Sequence, residues 1–64
     1  MATNTRMKAA RVLAGLTQMQ LADKVGTRKI EISRIETGRI RPAVELKQRI
    51  ATVLRKPTFE LFDC

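Results

Sequence analysis

The chain has 64 residues, 44% of them apolar but only two aromatic, so an aliphatic core has to hold one small domain spanning residues 1–64. Thirteen Lys and Arg against six Asp and Glu give a net charge of +7, which points to a polyanionic partner, nucleic acid before a membrane surface. With no histidine and one cysteine, the usual zinc sets and an internal disulfide are excluded, and no apolar run approaches the roughly 20 residues of a membrane span.

Cys64, the last residue, reads as a free thiol suited to a reducing cytoplasm. The N-terminus lacks a signal-peptide core, so cytoplasm is the expected compartment. No repeat, linker or low-complexity segment interrupts the chain.

In chain order, Thr3 to Ala14 reads as a first helix, with Met7, Ala10 and Ala14 at helical spacing and Gly15 as its stop. Thr17-Gln18-Met19-Gln20 is a capping box that opens a second helix to about Val25, burying Leu21, Ala22 and Val25. Gly26 supplies a tight turn. A third helix covers about Arg28 to Thr37 and stops at Gly38. Pro42 is expected to start a fourth helix, whose broad apolar side holds Val44, Leu46, Ile50, Val53 and Leu54. That helix ends before Pro57. Thr58 is expected to cap a last short helix with Phe59, Leu61 and Phe62. No segment alternates with period two, so the expected fold is all-α. Val12, Leu13 and Met19 fall off the core faces, whereas Met7 belongs to the core.

The second and third helices are separated by only about three residues around Gly26, which forces a steep crossing. Such a crossing needs a small residue at the contact, a glycine in the turn and apolar residues on the inner face of the second member. Ala22, Gly26, and Ile32 with Ile35 meet those needs, and Leu21 and Val25 complete the seam. Together these positions define a helix-turn-helix. Around the third helix, Ile32, Ile35 and Glu36 share one side; Ile30, Ser33, Arg34 and Thr37 share the other, with Lys29 on its flank.

A helix fits the DNA major groove, where Arg or Lys can bond guanine O6 and N7 and an apolar side chain can pack on a thymine methyl. That reading explains an isoleucine among arginines. The alternative is that Ile30 is a stray surface apolar residue. Glu31 reads as lying to the side, although it could accept from cytosine N4.

The segments "GLTQMQLADKVGTRKIEISRIETGRIRP", "ELKQRIATVL" and "FELF" resemble the lambda-repressor-like DNA-binding domain, the Cro/XRE type of helix-turn-helix, over about residues 5 to 62. The resemblance implies a compact five-helix bundle. It also implies a transcriptional regulator, typically a repressor, that binds double-stranded operator DNA as a homodimer; no cofactor is expected. By position, it makes Lys29, Ile30, Ser33 and Arg34 the base-reading set. It places Thr17, Gln18, Arg28, Thr37, Arg39 and Arg41 along the DNA backbone, with Gln18 also bracing the third helix. Arg11 and Glu36 match an Arg–Glu pair that ties the first helix to the third.

Three positions depart from the family pattern. Arg28 stands where a Ser or Thr usually caps the third helix, so either Thr27 caps instead or the end is frayed until DNA binds. Ala43 stands where a cap for the fourth helix is common. Arg55 replaces a usual glycine, so that helix end is either strained or runs on. No effector module accompanies the motif, so control by a small molecule is not expected.

Two readings from other classes remain. One is a protein-interaction module on the same fold, such as the antitoxin partner of a toxin. The other is an enzyme, but acid–base and covalent catalysis find no carboxylate pair or activated nucleophile here. The dimer surface is expected on exposed parts of the last two helices, near Phe59 and Phe62.

Overall fold

The computed structural model describes residues 4–62. Five helices follow one another: α1 (Thr5–Leu13), α2 (Gln18–Val25), α3 (Lys29–Glu36), α4 (Val44–Leu54) and α5 (Thr58–Leu61), with no strand among the described residues. The expected all-α, five-helix bundle is the fold. Thr3 and Cys64 lie outside the described residues.

Each long helix sends one aliphatic side chain to the centre. Met7 of α1, Leu21 of α2, Ile32 of α3 and Ile50 of α4 are fully buried, and Leu61 and Phe62 close one end of the core. Burying a side chain of this size contributes about 1.5–3 kcal/mol. The helical spacing of apolar residues therefore fixes which face of each helix turns inward.

The helix ends use one device repeatedly. α1, α2 and α3 stop on Gly15, Gly26 and Gly38, with φ of 75°, 77° and 77°. In each case the amide of the residue after the glycine bonds back five residues, as Thr27 N does to Ala22 O at 2.9 Å. At Gly26 the left-handed φ is the requirement, not space: an added Cβ would meet nothing nearer than Arg49 Nη1 at 4.0 Å. α4 ends in the same way without a glycine. Arg55 has φ 56° and ψ 42°, and Lys56 N donates to Ala51 O at 3.1 Å. The left-handed region costs a residue with a Cβ about 1–2 kcal/mol. Of the two outcomes expected at Arg55, α4 takes the strained end and does not run on.

The starts of three helices differ from expectation. α1 begins two residues into the expected segment, because Asn4 caps it: its side chain accepts from Met7 N at 3.0 Å. Pro42 does not open α4. Ala43 is still extended, with ψ 158°, so the proline's fixed φ shapes the loop and Val44 is the first helical residue. Val44 is exposed, not on the apolar side; it shares a side with Ala51 but sits two turns before it, past the edge of the core. Thr58 does not cap α5, because it is already helical and Pro57 holds the cap position. Leu46 and Val53 pack only partly against the core.

Candidate nucleic-acid interface

The seam between α2 and α3 determines what α3 presents. Ala22 is 1% exposed where the helices meet, and a larger side chain there would push them apart. Ile32 and Ile35 fill the space beneath α3. Thr17 caps α2 with a complete box: its Oγ1 accepts from Gln20 N at 3.0 Å, and its own N–H donates to Gln20 Oε1 at 2.9 Å.

A buried polar cluster fixes the rotation of α3. Arg11 Nε donates to Glu36 Oε2 at 2.7 Å, and Arg11 Nη2 reaches Glu36 Oε1 at 3.4 Å. Gln18 Nε2 donates to the same Oε1 at 3.0 Å. Arg11 Nη1 donates to the Leu16 carbonyl at 2.7 Å, and Asn4 N donates to the Glu36 carbonyl at 2.8 Å. Glu36 thus joins α1, α2 and α3. The pair's side chains are 10% and 3% exposed, and among the described residues no buried side-chain nitrogen or oxygen lacks a partner. Full satisfaction offsets the desolvation of the two charges.

On the opposite side of α3, Ile30 is 49% exposed, Arg34 is exposed and Ser33 is half-buried between them. They stand at i, i+3 and i+4 on one face. Lys29 and Arg28 lie at the helix start, and Arg39 and Arg41 follow in the loop before α4; all four are exposed. Neither these four nor Arg34 makes an ion pair among the described residues. Their charge is therefore available to an outside anion. Arg28 occupies the N-cap position with no side-chain cap bond. Thr27 does not take over that role, so α3 starts uncapped.

Three of the expected backbone contacts have limited means. Thr37 Oγ1 already donates to the carbonyls of Ser33 and Arg34, at 3.0 and 3.2 Å, and its N–H bonds Ser33 O. A phosphate needs donors, so it would have to compete with those carbonyls. Thr17 has spent its N–H in the capping box and keeps only its hydroxyl hydrogen. Gln18 keeps one amide hydrogen beyond the bond to Glu36.

Sequence reasoning did not find Asn4 or the Leu16 carbonyl. Asn4 carried a signal: an asparagine three residues before the first core position, Met7, is a cap pattern. A backbone carbonyl such as that of Leu16 carries none.

Two short helices set across each other by a three-residue turn, with an exposed basic face on the second, define a helix-turn-helix. A helix-turn-helix family model matches residues 7–61, and the chain belongs to this family, in its Cro/XRE type. Over 58 residues the chain is 38% identical to an HTH-type transcriptional regulator of Archaeoglobus fulgidus, covering 91% of this chain and 83% of that one. It is 34% identical to a second such regulator of the same organism, covering 91% and 82%. In structure it is similar to the restriction-modification controller protein C.AhdI of Aeromonas hydrophila, with a TM-score of 0.85 and 27% identity over 92% of this chain and 89% of that one. Among the described residues, no helix is long and apolar enough to cross a membrane.

Proposed function

We propose that this DNA-binding transcriptional regulator reads the major groove of an operator with the outer face of α3 and represses transcription there. One observation carries the reading. The inner face of α3 is locked to two other helices through Glu36, while the outer face holds exposed Ile30 and Arg34 and half-buried Ser33 beside cations that make no ion pair among the described residues. A groove-reading helix needs both properties: a fixed orientation and side chains with no duties inside the protein. Lys29 and Arg34 supply donors for guanine, and Ile30 supplies an apolar contact for a thymine methyl. Arg28, Arg39 and Arg41 flank them as phosphate contacts, which position the helix without reading sequence.

The relatives named as transcriptional regulators support the same reading. A homodimer on a pseudo-palindromic site would bring two copies of α3 one helical turn apart. Phe59, 68% exposed on α5, is the apolar residue best placed for that contact. Phe62 is not: it is buried in the core, so the expected dimer surface has to exclude it. Phe59→Ser should therefore shift sedimentation from dimer toward monomer and leave the fold of each protomer intact.

The direct test selects duplexes from a random pool and titrates the winner against salt. Each phosphate neutralised should add about −0.9 to the slope of log affinity against log salt. An affinity that stays level from low to high salt would overturn the nucleic-acid reading.

A further inference from the structure

The C-terminal ends of α1 and α4 and the last turn of α2 enclose an open groove of about 770 Å³ that no residue of α3 lines. Its lining runs from buried Ala10 and Leu54 out to Leu13, Ala14 and Val53, with Lys24, Arg55 and Lys56 among the same residues. Leu13 is 84% exposed, the most exposed of the large apolar residues, and it touches no part of the proposed operator face. The three cations are exposed and make no ion pair among the described residues.

Complementing the helix dipoles would account for cations at helix C-termini. It accounts for the charge of Arg55, but not for the strained φ held there and not for Leu13. The other three long-helix ends release the left-handed φ to a glycine, whereas here the chain keeps a cationic side chain at φ 56° and bears the strain. A DNA backbone would use the cations but leave Leu13 in water. A second copy of the chain would set the same three cations against these. Apolar lining and cations together fit an amphipathic segment with acidic flanks, laid helix-in-groove.

We propose that this groove docks an acidic amphipathic segment of a partner protein, with apolar side chains on Leu13 and Val53 and carboxylates toward Lys24, Arg55 and Lys56. The surface is separate from α3 and its flanking loop, so the partner and DNA can bind together.

The test uses the full chain and a labelled helical peptide with leucines on one face and glutamates on the other. Two control peptides replace the glutamates by lysines or the leucines by serines. The Leu/Glu peptide should shift the backbone amides of Leu13, Lys24, Val53, Arg55 and Lys56, with or without bound duplex. Either control should bind about tenfold more weakly or worse, as should Leu13→Ser and the double variant Lys24→Glu, Lys56→Glu. Leu13→Ser, which leaves every charge in place, should keep the wild-type melting temperature and duplex affinity. Equal binding of the Ser/Glu peptide, or shifts confined to α3 and residues 39–41, would overturn the proposal by reducing it to general charge attraction. So would phosphatidylserine vesicles or duplex DNA that shift the groove amides and displace the peptide. Absence of peptide binding would overturn it outright.

Discussion

The two faces of α3 are built from the same residue types and live under opposite constraints. Ile32 and Ile30 are two positions apart; the first is 0% exposed and the second 49%. Glu36 and Arg34 are also two apart. Glu36 takes bonds from Arg11 and Gln18, whereas the Arg34 side chain makes no ion pair among the described residues. The inner face sets where α3 lies. The outer face can vary without cost to the fold, and that freedom is what a recognition surface requires. Changes on the inner face should therefore act on stability, and changes on the outer face on binding alone.

The largest effect should come from the inner face. Glu36→Ala leaves the Arg11 guanidinium buried against Leu16 O with its carboxylate gone, and should cost about 3 kcal/mol. Changing Arg11 as well should recover part of the loss, because the stranded charge goes with it. Thermal melts in which the two single losses simply add would show that the pair is not coupled, and the contrast between the faces would weaken.

This inner face was the legible part of the sequence. Ile32 and Ile35 follow helical spacing, Ala22 and Gly26 answer the geometry of a tight turn, and Thr17 with Gln20 forms a local box. Each is a short-range rule, and each holds in the structure. The misreadings arose where a local rule competes with the rest of the chain. Pro42 suits a first helical turn, but Ala43 stays extended. Val44 carries an apolar side chain, but no core lies beneath that end of α4. Phe59 and Phe62 look alike in sequence, and only the packing of α5 sends one outward and the other into the core. The outer face of α3 is legible as exposed, but no residue pattern states which base each side chain meets.

A second test divides the basic residues outside the core. Arg34→Ala should relax preference at one base pair by about 1–3 kcal/mol. Arg41→Ala, in the loop after α3, should weaken binding to every duplex by a similar factor, since phosphates carry no direct sequence information. Competition assays with single-base operator variants separate the two patterns. Equal loss of specific and nonspecific binding by Arg34→Ala would move that residue to the backbone set.

The smallest effect on stability, and the sharpest test of the contrast, falls on Ile30. Its side chain is half exposed and points away from Ile32 and Ile35, so Ile30→Ala should change stability by only about 0.5 kcal/mol. Operator affinity should fall all the same, because an apolar contact to a thymine methyl is lost. Replacing that thymine by uracil removes the methyl and leaves the pairing intact. The wild-type chain should bind the uracil operator less tightly, and Ile30→Ala should bind both operators alike. If Ile30→Ala instead unfolds the domain, Ile30 belongs to the core and the two faces are not distinct. If the wild-type chain ignores uracil at every thymine of the site, Ile30 makes no methyl contact, and its exposure serves a protein surface instead.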